Sequence, residues 1–287
     1  MVVRLSTAEA TATVDPHGAR LASYRSLVAG HARDWLLPAL GPTSSFVMVP
    51  FCSRIRGGQF GFRGREVQLP ANNPPEPHAI HGHGWLCPWQ VVRQSTASVL
   101  LRYEHPGGAW PWAYRADLEI SLQRAELTMQ LAVTNRADSA MPVGLGFHLY
   151  FSATPDVVLR AQTSHRWVLD EQLMPVARRP LRANDPQLAN GLALAAHSWD
   201  AVFAGWDQRF EIHWPEWGAQ LTGKAAGPLG DFVVYAPHNS PWFCAEPVSN
   251  VPDAFNLHSD GEAHSGTIVL EPDAVLTGRV LLSPHAS

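Results

Sequence analysis

The sequence is short of charge, short of cysteine and free of long apolar runs. Aspartate, glutamate, lysine and arginine make up only 16% of its 287 residues, and the formal net charge is −4. A chain so weakly charged lacks the basic field that neutralises a phosphate backbone, so nucleic acid is not an expected partner. The three cysteines, Cys52, Cys87 and Cys244, are odd in number and widely spaced, which suits neither a disulfide framework nor a tetrahedral zinc site. Reduced thiols are expected. No uninterrupted apolar stretch approaches the length of a membrane-spanning helix, about 20 residues. The opening stretch, MVVRLSTAEATATVDPHGAR, turns polar too early for a secretory signal. The expectation is a cytoplasmic protein with no membrane partner.

Sustained helical periodicity is scarce as well. A few stretches such as Leu192 to Ala196 could be helical, but none keeps a 3.6-residue period over several turns. What is present instead is punctuation: 24 prolines and 22 glycines separate short apolar runs, the pattern of many strands joined by turns. Leu118, Ile120 and Leu122 alternate with polar residues, and so do Leu127, Met129 and Leu131, which predicts a hairpin of two half-buried strands. Gln59 to Leu69 predicts a second hairpin around Arg63, Gly64 and Arg65, and Thr267 to Leu282 offers two more strands. Pro175 to Gln187, rich in Arg, Pro and Asn, reads as a long surface connection. No linker, charge block or fixed-period repeat divides the chain. Residues 1–287 are therefore read as one all-β domain, antiparallel, with 46% hydrophobic residues to fill its core.

Four polar clusters could carry chemistry. PEPHAIHGHGWLCPW holds His78, His81 and His83, followed by Trp85 and Trp89. His81 and His83, one residue apart, would share a strand face, but no third ligand stands at a recognisable offset and no metal is expected. Glycine-flanked imidazoles beside tryptophans fit a sugar pocket better. Aromatic faces stack on pyranose C–H surfaces, while imidazole, carboxylate and guanidinium groups bond the hydroxyls directionally. PVGLGFHLYF places His148 among apolar neighbours, which taken alone reads as a hydrogen-bonded core histidine. SWDAVFAGW contributes Asp200, and CAEPVSNVPDAFN contributes Glu246, Asp253 and Asn256, each of which alone could be a turn or a cap.

Taken in order, PFCSRIRGGQFGFRGREVQL, AIHGHGW, GFHLYF, WDAVF and EPVSNVPDAFN resemble the aldose 1-epimerase family over nearly the whole chain. The resemblance implies a large antiparallel β-sandwich, the galactose mutarotase-like supersandwich, with a sugar held in an open cleft. It implies interconversion of the α and β anomers of a hexose or related sugar, and related branches act on hexose 6-phosphates. The implied substrate-binding residues are Arg54, with Ser53 where the family usually has Asn, together with Asp200. Trp85 is added to them because it adjoins the histidines. The implied catalytic residues are His148, the acid at the ring oxygen, His81, which hydrogen-bonds the same end of the sugar, and Glu246, an acid lining the cleft. No cofactor is implied, and the assembly expected is a monomer or a homodimer.

One departure bears on the activity. The family's base is a glutamate in a Leu, any residue, Pro, Gly, Glu pattern, and this chain reads Leu270, Glu271, Pro272, Asp273, Ala274. Alanine cannot accept a proton. Glu246, Glu271 and Asp273 stay open as replacements, although strand alternation turns Glu271 and Asp273 away from the face of position 274, where they read as a solvated turn. A protein that kept the cleft and lost the base, acting in sugar binding or regulation, is the alternative.

Overall fold

The hairpin expected around Leu122 forms as strands Tyr114–Gln123 and Glu126–Asn135, paired antiparallel with Leu118 opposite Leu131 and Ile120 opposite Met129. These four side chains are fully buried, whereas Glu119 and Gln130 between them point outward. The period of two thus does what it predicts: one face of each strand enters the core. The second hairpin forms as Gln59–Phe62 and Arg65–Gln68, and the C-terminal strands as Ile268–Leu270 and Val275–Ala286. The structure is a computed structural model and describes residues 2–39, 41, 44–195 and 198–287.

Among the described residues, two large antiparallel sheets of nine and twelve strands face each other. Between them lies the main core, to which the nine-stranded sheet contributes Leu118, Met129 and Trp214, and the twelve-stranded sheet Trp35, Phe151, Phe203 and Ala245. The outer face of the twelve-stranded sheet is covered in its turn, by a second apolar cluster containing Phe46, Met48, Ile80, Trp85, Tyr150, Val233 and Cys244. Central strands of this sheet are therefore apolar on both faces. The strand Trp242–Val248, sequence WFCAEPV, is buried at nearly every position for that reason.

Two sequence expectations need correction. Pro175–Pro180, the start of the presumed surface connection, is a strand paired with His165–Leu169 at the edge of the twelve-stranded sheet. Its arginines lie at an edge, where the exposed side carries no apolar alternation to read. Leu192–Ala193, in a stretch that could have been helical, is a short strand paired with Val158–Ala161; Ala196 lies outside the described residues. The one α-helix among the described residues is Ala254–Ser259.

Candidate functional site

Three neighbouring strands of the twelve-stranded sheet lay out the polar floor of a cleft. Alternation along Trp242–Val248 places Trp242, Cys244 and Glu246 on one face, where Trp242 and Glu246 line the cleft. Val233 stands opposite Glu246 and Tyr235 opposite Cys244, and one strand further Asp200 stands opposite Tyr235. With strands about 4.8 Å apart, Asp200 is about 10 Å across the sheet from the strand that carries Glu246. That leaves room for one six-membered ring with a hydrogen bond at each end.

The other residues arrive from loops and short strands pinned against this floor. His148 ends the strand Gly146–His148 and stands opposite Phe46 in register. Its imidazole stacks on both Phe46 and Tyr150, at centroid distances of 4.7 and 4.8 Å. The 50–54 segment is held by the motif that follows Glu246: Asn250 accepts from the Cys52 N–H and donates to the Cys52 carbonyl, and the Asp253 N–H donates to the Arg54 carbonyl. Arg54 in turn pairs with Ile80, so that His81 follows at the cleft wall. Gly82 (φ 68°) must be glycine, because a Cβ there would collide with the Val49 carbonyl.

The cleft so built has a volume of about 300 Å³, at the lower end of the range for small-ligand sites. It brings together all six residues expected from the sequence: Arg54, His81, Trp85, His148, Asp200 and Glu246. Other lining residues, among them Glu76, Tyr150, Tyr235 and Trp242, were not anticipated. Two had a readable signal. Tyr150 is two residues beyond His148, and Trp242 is four before Glu246 on the same strand face. Glu76 had none, because its partner Arg54 is 22 residues away and the pairing depends on how the loop folds back.

Burial sets the charge state of the cleft. Nε2 of His148 is 3.3 Å from Oε1 of Glu246, and both side chains are almost wholly buried. Burial lowers the His148 pKa to about 3 and raises that of Glu246 well above the carboxylate range, with Asp200 raising it further and Arg54 opposing. Burial thus disfavours the charged form of both members of the pair, the imidazolium of His148 and the carboxylate of Glu246. His148 Nδ1 is buried without a hydrogen-bond partner. Burial likewise holds His81 neutral, with the charges of His148 and Arg54 acting in the same direction. The Asp200 pKa is also raised, by burial first.

His83 does not share a face with His81. The chain turns at His81 (φ 58°) and Gly82, and His83 faces a separate hollow, where its Nε2 meets the Tyr114 hydroxyl at 2.9 Å and its ring lies 4.4 Å from that of His105. Trp89 belongs to the main core, whereas Trp85 lines the cleft and stacks on Phe46 at 5.2 Å. Glu271 and Asp273 lie on the surface, paired with Arg63 and Arg136. Ala274 packs against the main core and does not line the cleft. Asp253 and Asn256 are structural: Asp253 stands at the N-terminal boundary of the helix without a side-chain capping bond and accepts from the Arg56 N–H, and Asn256 donates to Asp253 and to the Gln59 carbonyl.

Among the described residues, one group has donor atoms close enough for a metal, His148, Cys244 and Glu246, within 4.8 Å of one another. Burial raises the pKa of both the thiol and the carboxyl, so a cation would have to displace two protons.

The fold is that of the galactose mutarotase-like proteins. The family model described as aldose 1-epimerase matches residues 1–283, and the chain belongs to that family. It is 31% identical over 252 residues to the uncharacterized protein YphB of Escherichia coli (strain K12), covering 83% of each chain. The structure superposes on that of a candidate aldose 1-epimerase from Escherichia coli K12 with a TM-score of 0.89 at 26% identity, over 100% of this chain and 99% of that one. A galactose mutarotase-like protein from Clostridium acetobutylicum shares the fold with a TM-score of 0.88 at 17% identity, over 100% and 95% of the two chains.

Proposed function

We propose that the chain is an aldose 1-epimerase that interconverts the α and β anomers of a hexose or related sugar, with His148, Glu246 and His81 at the anomeric end. The observation that carries this reading is the His148–Glu246 pair, 3.3 Å apart in a cleft that also holds Asp200 and Arg54. Opening a pyranose takes a proton from O1 and gives one to the ring oxygen, as the bond from C1 to that oxygen breaks and C1 becomes an aldehyde. Rotation about C1–C2 and reclosure reverse the proton movements. Both oxygens are bonded to C1, so donor and acceptor must stand close together, as these two side chains do.

One proton shared by the pair is enough. A protonated Glu246 and a neutral His148 present one donor and one acceptor; ring opening exchanges their states and reclosure restores them. The family resemblance makes His148 the acid, and the shared proton lets either group start in that role. His81 donates from Nε2 and stabilises charge developing at the same end. Arg54 and Asp200 bond hydroxyls at the other end, and Trp85 supplies an apolar wall. Glu246 supplies the carboxyl that Ala274 lacks. The same reading takes residues 1–287 as one domain, in a cytoplasmic monomer or homodimer.

Polarimetry or anomeric-proton NMR on freshly dissolved α-glucose and α-galactose tests the proposal. The wild type should accelerate equilibration and His148→Ala should not; an uncatalysed rate with the wild type across several sugars would overturn it. Ala274 favours a second reading, a sugar-binding protein without turnover. Saturable binding with no anomer exchange would support that one.

A further inference from the structure

Glu76 stands in the cleft beside Arg54 and lies outside the motifs that carry the family resemblance. Among the described residues, the ionisable groups lining the cleft are one guanidinium, Arg54, three carboxyls, Glu76, Asp200 and Glu246, two phenols, Tyr150 and Tyr235, and two imidazoles held neutral by burial. The single cation is already engaged: Arg54 Nε donates to Glu76 Oε2 at 2.9 Å, with both side chains more than four-fifths buried. The other Glu76 oxygen lies 4.0 Å from Nε2 of His78, a buried ring whose Nδ1 accepts the Gly57 N–H at 3.0 Å. Glu76 is thus set against Arg54 by a hydrogen-bonded ion pair, with the His78 ring close by but beyond hydrogen-bond distance.

The remaining arginines of the neighbourhood do not supply a second cation. Arg56 is paired with Asp253 and Asp170, Arg63 with Glu271, and Arg20 donates to the Trp85 carbonyl without lining the cleft. A free guanidinium in such a pocket would bind phosphate or carboxylate through its planar fork. With Glu76 on its Nε edge, the charge is cancelled at short range, while the terminal N–H groups still donate to hydroxyls.

We propose that Glu76 is a specificity-determining residue that cancels the one cation of the cleft, so that uncharged aldoses enter and anionic ones, sugar phosphates and uronic acids alike, are rejected. The proposal rests on reading the cleft as a sugar site. It explains why an arginine suited to anions can serve hydroxyls alone, and it turns the 6-phosphate branch of the family into an outcome that one side chain controls.

The test is equilibrium binding, followed by emission of the tryptophans that line the cleft, with glucose, glucose 6-phosphate and glucuronate as probes. For the wild type, glucose should bind at least about tenfold more tightly than either anion. Glu76→Gln, nearly isosteric and still able to accept from Arg54, should narrow that ratio at least about fivefold, and Glu76→Asp should restore it; thermal melting checks that both variants fold. Equal wild-type affinity for glucose and its 6-phosphate, or a ratio unmoved by Glu76→Gln, overturns the inference. Binding that follows this pattern without anomer exchange removes only the catalytic reading, whereas binding of none of the three probes overturns both.

Discussion

The backbone N–H of Ser53 lies 3.1 Å from Nδ1 of His81, and the His81 N–H returns a hydrogen bond of 2.9 Å to the Ser53 carbonyl. Both residues have a left-handed backbone, φ 58°, so two uncommon conformations support each other. The bond to Nδ1 fixes the ring proton on Nε2, the nitrogen left to donate to a ligand.

His81 should keep that tautomer below neutral pH. Burial, and then the charges of His148 and Arg54, hold its pKa well below the ordinary histidine value. Its ring ¹⁵N shifts should still show an unprotonated Nδ1 and a protonated Nε2 at about pH 6.5, where an ordinary histidine is half protonated. His81→Ala should slow anomer exchange about 100-fold, as expected for loss of one preorganised donor.

His148 and Glu246 should act as a unit. His148→Ala or Glu246→Gln alone should lower the rate by about 10²–10⁴. The double variant should lose little beyond the worse single one, because half of a shared-proton pair has no partner. Additive losses in the double-variant cycle would show two independent groups.

Glu271 and Asp273 should be silent. Each sits at the surface in an exposed ion pair, with side-chain exposures of 62% and 81%. Alanine at either position should leave anomer exchange unchanged and shift stability by no more than about 0.5 kcal/mol. A rate loss at either would reopen the question of which carboxyl replaces the missing glutamate.

Tyr114→Phe separates His83 from the site. It removes the 2.9 Å contact to Nε2 of His83, which is part-buried. The expected cost is about 0.5–1.5 kcal/mol in urea unfolding, with the exchange rate of the folded protein unaltered.

Asp231 should give stability a pH dependence near neutrality. Burial raises its pKa to about 7, opposed by Arg178. A folded pKa above the unfolded one means that the contribution is complete below about pH 4 and is lost as pH rises through about 7. Asp231→Asn should remove that loss, so its stability relative to wild type should rise between pH 4 and pH 8, by on the order of 2–4 kcal/mol. A constant difference across that range would show that the carboxyl ionises freely in the fold.

Legibility in the sequence followed the local or extended character of each feature. The Leu118–Leu131 hairpin was readable because its alternation belongs to adjacent residues and a single short turn. The strand Pro175–Pro180 was not, because an edge strand exposes its arginines and only its neighbour, His165–Leu169, makes it a strand. His81 and His148 could be named from their motifs, but the relation of their rings, 5.0 Å apart and perpendicular, comes from strands more than sixty residues apart. His83 was placed on the wrong side because two successive left-handed residues, His81 and Gly82, break the alternation on which the expectation relied.

The sequence by itself determined the strand-rich architecture, the identities of the polar groups and the alanine at position 274, since periodicity, turn chemistry and residue type are properties of the chain. The tertiary structure alone decided that Glu246 meets His148 and that Glu76 covers Arg54. It also decided the charge states, because a pKa moves with the dielectric and the neighbours that folding supplies. A carboxyl and an imidazole that would both be charged in mildly acidic water are each pushed toward the neutral form when two sheets and a cluster of aromatic rings exclude the solvent around them.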